Sequence, residues 1–373
     1  MKFQIERDVL LKELALLAEV IEAKTMLATP ASLLLEAADN HLTLSAHGFS
    51  SSLCCQVEAL VVTEGRVCLP VRKLFEIVRQ LPKAPIHFSS APEGMTMKYN
   101  GSRFRLNTSP TDNFPATPQA DEFTLAMPSE TLATMIRATL FAASKNANGS
   151  NYALEGANLT IDAAGARMVA TDGHRLMCVE RTDVTSPEDI SVLIPKASLG
   201  IIAKLLDVTD AEVRLQPEEN YLFFQTEKRR LTCVLLTGEY PDVATLLRQE
   251  YHQWLTFDGA EFRAAVTRMA IFGADGTEQN FGLIEFLLKP DACELAGADP
   301  HGSESHEEVT PLAPVISEQT TITFNGRFLQ DFARTISGAP LTIRFNDANS
   351  SVEFCPVENG GLHSRYILMP CRL

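Results

Sequence analysis

The order strand, helix, several strands, helix, several strands occurs three times along the 373 residues. The second helix of each copy shows the repeat best, in RVCLPVRKLFEIVRQLP, SVLIPKASLGIIAKLLD and TITFNGRFLQDFARTIS. Equivalent positions in these stretches are Pro70, Pro195 and Asn325, which lie 125 and 130 residues apart. A repeat of this length indicates three domains of one fold. The sequence therefore predicts an α+β protein with domains at 1–122, 123–251 and 252–373, each with two helices packed on antiparallel sheet.

Six stretches have the apolar spacing of amphipathic helices, with apolar residues recurring at three- and four-residue intervals. They lie at 8–24, 71–83, 129–145, 196–208, 260–273 and 325–337. Together these windows hold 14 basic and nine acidic residues, so they carry +5 while the chain as a whole carries −15. The remainder therefore carries −20. A positive helical layer within an acidic shell is the arrangement expected of a protein that surrounds a polyanion.

Composition excludes several other classes. One Trp and six Tyr are too few for an aromatic platform that stacks nucleic-acid bases. The charged start MKFQIERD is not a signal core, and no apolar run is long enough to cross a bilayer. The eight cysteines are scattered without a CxxC pair, which indicates reduced thiols. We expect a cytoplasmic protein.

The stretch MVATDGHRLMC at 168–178 concentrates polar residues between two apolar runs. Its Asp172-Gly173 pair predicts a β-hairpin with the polar cluster at the tip. Asp172, His174 and Arg175 are compatible with a hydrolase loop, or with a turn whose side chains satisfy backbone groups. The chain has no GxSxG elbow, HExxH helix, GxGxxG turn or GxxxxGK[ST] phosphate loop. These absences favour a protein that is not an enzyme and that needs no cofactor.

Several stretches resemble the bacterial DNA sliding clamp family, the β subunit of the replicative polymerase holoenzyme. They are VATDGHRL (169–176), GEYPD (238–242), SRFRLNT (102–108), LPVRKLFEIVRQLP (69–82) and ILMPCRL (367–373). The resemblance implies tandem DNA-clamp domains in a head-to-tail homodimer, forming a six-domain ring around duplex DNA with helices inside. It further implies a processivity subunit of the bacterial cytoplasm, associated with the nucleoid, that binds DNA without sequence specificity.

The resemblance also implies three sets of site residues. A groove for peptides of the polymerase, clamp loader and repair proteins would be lined by Leu154, Thr171, Gly173, His174, Arg175, Leu176, Pro241, Leu246, Ile367, Met369, Pro370, Cys371, Arg372 and Leu373. The DNA-facing set would be Lys24, Arg72, Lys73, Arg79, Lys83, Arg137, Lys196 and Lys204. The dimer interface would use Arg103, Phe104 and Leu106 in the first domain and Ile271 and Phe272 in the third, with Asp299, Glu304, Glu307 and Glu308 nearby.

The sequence departs from the family pattern at Asn151 and Thr245, two positions that are usually basic near the groove. The segment 273–311 is also unusually polar. His301 and His306 in that segment lack the Cys or third ligand that a metal site would need, so we expect no metal there. A specialised clamp paralogue that serves a repair polymerase is therefore left open beside the main clamp, and so is the hydrolase.

Overall fold

A computed structural model describes residues 1–21, 32–145, 149–207, 212–272, 282–298, 303–336, 338–357 and 361–372. Contacts divide the chain into two compact units. The first comprises Met1–Ala133 and Ala197–Leu236, and the second comprises Thr134–Lys196 and Thr237–Leu373. The segment predicted as the second domain therefore contributes to both units.

Helices and strands alternate along the chain in the predicted order. The helices are α1 (Arg7–Val20), α2 (Val71–Gln80), α3 (Ser129–Thr139), α4 (Lys196–Asp207), α5 (Ala244–Leu247), α6 (Gly259–Phe272) and α7 (Gly326–Ala333), with 3-10 turns at Leu140–Ala142 and Gly149–Glu155. Among the described residues, none of the helices combines the length and apolar character that a membrane span needs.

The strands of the first unit come from the first 128 residues and from a later segment. They are β1 (Lys2–Glu6), β2 (Ser32–Ala38), β3 (His41–His47), β4 (Ser51–Glu58), β5 (Leu60–Thr63), β6 (Gly65–Pro70), β7 (Pro85–Ala91), β8 (Gly94–Tyr99), β9 (Ser102–Leu106) and β10 (Leu125–Pro128). Three more strands of the first unit follow α4 in the chain.

The remaining strands complete both units. The second unit has β11 (Gly156–Ile161), β12 (Ala166–Thr171), β13 (Arg175–Arg181) and β14 (Ile190–Pro195). The first unit then adds β15 (Glu212–Glu218), β16 (Tyr221–Gln225) and β17 (Arg229–Val234). The second unit ends with β18 (Gln253–Phe257), β19 (Leu283–Leu288), β20 (Cys293–Ala298), β21 (Glu304–Val309), β22 (Ala313–Val315), β23 (Thr320–Asn325), β24 (Leu341–Phe345), β25 (Val352–Pro356) and β26 (His363–Leu368).

Two antiparallel sheets build the first unit. One has the order β5-β1-β7-β8-β9, and the other has the order β10-β15-β16-β17-β4-β3-β2-β6. Helix α1 packs beside α2 and against the sheet because Leu10, Leu14 and Leu17 lie on one face and are buried. The larger sheet is continuous because β17 pairs with β4, where Leu231 lies opposite Leu53.

Two antiparallel sheets also build the second unit, in the orders β14-β11-β12-β13-β26-β25-β24-β18-β22 and β21-β20-β19-β23. Helix α6 packs beside α7 over an aromatic core, in which Phe332 stacks on Tyr366 with ring centroids 4.5 Å apart. Strand β13, from the predicted second domain, pairs with β26 from the third. Each half of the middle segment thus extends the sheet of a neighbouring segment, which is why compact units and sequence repeats have different borders.

The helices end close to their predicted bounds, with one informative difference. The window 129–145 is not one helix, because α3 stops at Thr139 and a 3-10 turn follows before Ala143 becomes extended. Helix α7 begins where predicted because the Asn325 side chain accepts hydrogen bonds from the backbone N of Arg327 and Phe328, at 3.0 and 3.4 Å. The stretches 22–24, 208, 273 and 337 of the predicted windows lie outside the described residues.

Candidate functional site

The predicted hairpin is present, formed by β12 and β13 with Asp172-Gly173-His174 as its tip. Gly173 has a φ of +91°, a left-handed conformation that glycine adopts without strain. One Asp172 carboxylate oxygen accepts hydrogen bonds from the backbone N of His174 at 3.0 Å and of Arg175 at 3.1 Å. The Thr171 hydroxyl donates to the Arg175 carbonyl at 2.6 Å. The tip is therefore held by its own polar side chains, as in an Asx turn.

Arg175 anchors this hairpin from beneath and is only 7% exposed. Its Nε donates to Asp172 at 2.9 Å, its Nη1 to Asp331 on α7 at 2.9 Å, and its Nη2 to the Phe141 carbonyl at 2.9 Å. Its guanidinium carbon also lies 4.3 Å from the ring centroid of Phe328. A guanidinium with this many charge-assisted partners fixes the loop against α7.

Arg175 and Leu176 point to opposite faces of the sheet because successive strand residues alternate. Leu176 lies opposite Ile367 of β26 and joins a buried apolar cluster with Val169 and Cys178. The proposed groove residue Arg175 is therefore on the face away from this cluster. Leu176 and Ile367 form the apolar floor.

Three residues that the sequence did not single out cover the floor: Tyr240, Val243 and Leu247. The Tyr240 hydroxyl donates to the Val169 carbonyl at 3.2 Å, and burial raises the pKa of this phenol. Two features of the sequence could have indicated these residues. One is the GEYPD turn, and the other is the four-residue spacing from Val243 to Leu247, which places both on one side of a helical turn. Leu246, which was predicted instead, is 37% exposed on the outer side of α5.

The C-terminal segment runs beside the hairpin tip. The Met369 backbone N donates to the His174 carbonyl at 3.1 Å, and the Cys371 N donates to the Thr323 carbonyl at 2.8 Å. Met369 is 44% exposed, Pro370 and Cys371 are half-buried, and Arg372 is exposed. Leu373 lies outside the described residues.

The other predicted groove residues also belong to the second unit. Pro241 is exposed in the turn before α5, and Leu154 is half-buried, with its carbonyl accepting from the Ser144 N at 2.8 Å. The His174 ring is exposed and stacks on Phe328, with centroids 6.4 Å apart. A partly covered apolar strip with exposed apolar neighbours is suited to a peptide with apolar anchors, since such side chains gain most from leaving water.

Comparison with known proteins decides the family. Models of the DNA polymerase III beta subunit match in order along the chain: the N-terminal domain at 1–118, the central domain at 126–242 and the C-terminal domain at 244–372. The chain belongs to the DNA polymerase III beta subunit family. The predicted resemblance and the three tandem clamp domains are thereby confirmed.

Individual relatives of this beta subunit family agree over their full length. The beta sliding clamp of Pseudomonas aeruginosa is 28% identical over 379 residues, and that of Caulobacter vibrioides is 28% identical over 387 residues, each match covering 100% of both chains. The crystal structure of the DNA polymerase III subunit beta from Pseudomonas aeruginosa has 27% identity and a TM-score of 0.87, again with 100% coverage of both chains. The beta subunit family is a non-catalytic processivity factor, as predicted.

The described residues of the predicted DNA-facing set lie on or beside the helices of the two units. In the first unit, Arg72, Lys73 and Arg79 are exposed on α2. Lys83 pairs with Asp8 at 2.9 Å. Hydrogen bonds from Lys83 and Arg7 lower the pKa of Asp8. The second unit contributes Arg137 on α3 and Lys196 at the start of α4.

Acidic residues of α1 balance part of this charge. Lys204 of α4 pairs with Glu19 of α1 at 2.7 Å, within the first unit. Arg72 donates to the Ile21 carbonyl at 2.6 Å, which holds its side chain along α1. Lys24 lies outside the described residues. The positive charge of the helices is therefore distributed unevenly, because acidic residues of α1 neutralise part of it in the first unit.

The predicted interface residues of the first domain lie on an edge strand, and those of the third domain lie at the end of α6. Strand β9, with Arg103 exposed and Phe104 half-buried, ends the five-stranded sheet, while Leu106 is buried opposite Met95. In the second unit, β21 ends the four-stranded sheet. Ile271 at the end of α6 is 70% exposed.

Three groups that the sequence analysis named at the interface or for a possible metal site lie outside the part of the chain that the structure describes. These are the Phe272 side chain, Asp299 and His301. His306 lies 3.7 Å from Glu294, and Glu307 makes a bidentate pair with Arg268 at 2.5 and 2.8 Å. Over the described part of the chain, no group of three or more His, Cys, Asp and Glu is arranged to hold a metal ion.

Proposed function

We propose that this chain is a DNA sliding clamp, which encircles duplex DNA and tethers the replicative polymerase. The observation that carries the proposal is the match of all three beta subunit domains, in order, over nearly the whole chain. A ring that retains its polymerase converts rebinding into intramolecular recapture, which raises processivity without catalysis. The protein is proposed to act in the bacterial cytoplasm at the nucleoid, and a fluorescent fusion that fails to follow replicating DNA would contradict that location.

Two copies of the chain are proposed to close the ring head to tail, β9 of one against β21 of the other. The two edges carry opposite charge. Arg103 and Arg105 are exposed on β9, and Glu304 and Glu308 are exposed on β21. Opposite charges favour the correct register, and edge pairing protects strands that would otherwise invite aggregation. The contact is heterologous, so it closes into a ring only if the rotation between copies is right.

Light scattering over a dilution series tests this closure. We expect a mass near twice 40.9 kDa. The variant Ile271→Asp places a charge at an apolar residue that is 70% exposed, and we expect it to shift the population to monomer. Leu312→Asp, at a residue that is 63% exposed elsewhere in the second unit, is the matched control and should leave the dimer intact. A monomer at every concentration would remove the ring.

DNA retention by such a ring is topological. Direct contact with phosphates should be weak and should fall steeply with salt, because each neutralised phosphate releases counterions. The clamp, loaded by a separate loader, should stay on nicked circular DNA and slide off the same DNA after linearisation. Equal loss from both would contradict encirclement, whatever the oligomeric state.

The apolar floor of Leu176 and Ile367 is proposed as the docking site for short peptides of the polymerase, clamp loader and repair proteins. Peptides of this kind bind through a few apolar or aromatic anchors. Met369 at its border is 44% exposed, and so is Val315 on the distant strand β22. We expect Met369→Ser to weaken a clamp-binding peptide about ten-fold, which is about 1.4 kcal/mol, whereas Val315→Ser should change it less than two-fold. Equal effects would remove Met369 from the groove.

A hydrolase is not favoured, because the polar tip residues are committed to structure. Asp172 accepts two backbone hydrogen bonds and a third from Arg175 Nε. Substitution of His174 by Ala separates the two functions. Weaker peptide binding without any turnover supports the clamp, and a turnover lost with His174 would support the enzyme.

A further inference from the structure

Arg268 on α6 makes a paired contact with Glu307 on β21, within the second unit. Its Nε donates to one carboxylate oxygen at 2.5 Å, and its Nη2 donates to the other at 2.8 Å. Two parallel hydrogen bonds are the geometry in which an arginine holds a carboxylate most firmly. The pair joins a helix to a strand that ends a sheet, since β21 is the edge of β21-β20-β19-β23.

Strand β21 has little apolar material of its own to hold it in place. Its sequence is ESHEEV, in which the apolar residue is Val309, buried at the end of the strand. On one side the strand pairs with β20, where Ser305 lies opposite Gly297 and donates from its hydroxyl to the Gly297 carbonyl at 3.2 Å. A strand with few buried apolar contacts opens more readily than a core strand. The link from Glu307 to α6 therefore supports β21 where its packing is weak.

Successive residues of β21 face opposite sides of the sheet. Glu304, His306 and Glu308 are exposed, whereas Glu307 is half-buried on the side of α6. The hydrogen bonds from Arg268 lower the pKa of Glu307, so its carboxylate stays charged in this contact. The resemblance placed Glu307 among the acidic residues near the dimer interface. In the structure both of its oxygens are used within the chain.

Arg268 and Ile271 lie three residues apart on α6, so they belong to one side of the helix. Ile271 is 70% exposed and is the apolar residue proposed above to contact a second copy. The same length of α6 thus carries an exposed apolar side chain and the anchor of β21. A partner that contacts both the helix and the strand edge needs them in a fixed relative position.

We propose that Arg268 is a positioning residue for ring closure, which holds β21 against α6 so that Ile271 and the strand edge are presented together. It acts through Glu307 and not by touching the partner copy, and its role rests on the proposed head-to-tail dimer. A copy with β21 detached does not bind, so the apparent dissociation constant rises as the competent fraction falls. A ring of two chains contains the contact twice, so a two- to three-fold loss of competent chains becomes about five- to ten-fold.

The dimer dissociation constant, from light scattering over a dilution series, tests this role. We expect Arg268→Gln to raise it about five- to ten-fold. Arg167→Gln is the matched control, because Arg167 is 51% exposed against 56% for Arg268 and pairs with Glu180 in the same unit. The control should change the constant less than about two-fold. If the native dimer stays intact on dilution, subunit exchange between unlabelled and nitrogen-15-labelled dimers, followed by native mass spectrometry, gives the same comparison as a rate.

Glu307→Gln shows whether Arg268 acts through this carboxylate. We expect it to weaken the dimer by about the same factor, and we expect the double variant at 268 and 307 to be no weaker than either single one. Effects that multiply, to about 25-fold or more, would mean that the two residues act separately, and they would overturn the proposal.

Hydrogen exchange in a monomer separates positioning from direct contact with the partner. Ile271→Asp supplies the monomer, and the native chain below its dissociation constant replaces it if that variant still dimerises. Arg268→Gln should speed amide exchange in β21 about ten-fold and leave that in β24, in the other sheet of the same unit, unchanged. A weaker dimer without faster exchange in β21 would overturn the positioning role, because Arg268 would then act on the partner directly.

The outcome for Arg268 is separable from that for the ring. A native chain that is monomeric at every concentration removes the ring, and the role of Arg268 in closing it falls too. A native dimer that Arg268→Gln weakens no more than Arg167→Gln keeps the ring and overturns the positioning role alone. Circular dichroism establishes that each variant is folded, and Glu307→Gln tests the contact independently if Arg268→Gln does not fold.

Discussion

Replacing Arg175 with Met should destabilise the second unit strongly, because the guanidinium is buried and charge-paired. Among the described residues, the change leaves Asp331 paired only with the exposed Arg334, and it leaves the Phe141 carbonyl without this donor. Removing one partner of a buried pair typically costs about 3–5 kcal/mol. Since Asp331 is 18% exposed and water relieves part of its charge, we expect a loss of about 2–4 kcal/mol in the free energy of unfolding.

The chain contains one tryptophan, Trp254 of β18, which lies in the second unit. Urea unfolding followed by its fluorescence therefore reports the unit that contains Arg175. Arg167→Met is the matched control, because Arg167 pairs with Glu180 at 2.6 Å on the same hairpin but is 51% exposed. Exposed pairs are worth about 0–1 kcal/mol. A loss for Arg175→Met no greater than that for Arg167→Met would refute the anchoring role.

Asp331→Asn extends the same test, because Asp331 lies on α7 and not beside the apolar floor. A double-mutant cycle between positions 175 and 331 should give a coupling of about 1–3 kcal/mol, as expected for residues in one ion-pair network. Negligible coupling would mean that Arg175 acts on the hairpin through other contacts.

Further predictions concern the first unit and the thiols. Glu13→Ala should destabilise the first unit by about 3–5 kcal/mol in urea unfolding followed by ellipticity, because Glu13 makes a buried bidentate pair with Arg229 at 2.5 and 2.8 Å. Glu93→Ala, which removes an exposed ion pair, should cost under about 1 kcal/mol. Equal costs would contradict this. A bound partner peptide should slow the labelling of half-buried Cys371 at pH 8 without slowing that of Cys54, measured by mass spectrometry of digests. Cys178 should label far more slowly than Cys54, because burial raises its pKa to about 12, and labelling at similar rates would show that the apolar floor opens readily.

The local structure was largely predictable from sequence, because its causes are local. The Asp172-Gly173 pair predicted the hairpin and its polar tip, and the spacing of apolar residues predicted a helix at 325–337, whose start is capped in the structure by the Asn325 side chain. The helix at 129–145 was predicted too long, since apolar spacing continues through a 3-10 turn as it does through a helix.

The long-range pairings could not be predicted in the same way. An alternating pattern assigns faces to a strand but does not choose its partner, so nothing in the sequence pairs β17 with β4 or β13 with β26. The same limit applies to the pair of Glu13 and Arg229, which are 216 residues apart. Either charge alone is typical of a solvated surface, and only the fold buries the two together.

The candidate site shows the same difference between what the sequence predicts and what only the fold decides. Arg175 and Leu176 are adjacent in the sequence, and strand alternation alone requires that they face opposite ways. The resemblance nevertheless placed both in one groove, because a shared motif reports which residues matter and not which face each serves. In the structure, Leu176 belongs to the apolar floor, and Arg175 lines a cavity beside α7. Substitutions at these two neighbours should therefore separate: a change at 176 should act first on peptide binding, and a change at 175 first on the stability of the hairpin and the charge of the cavity.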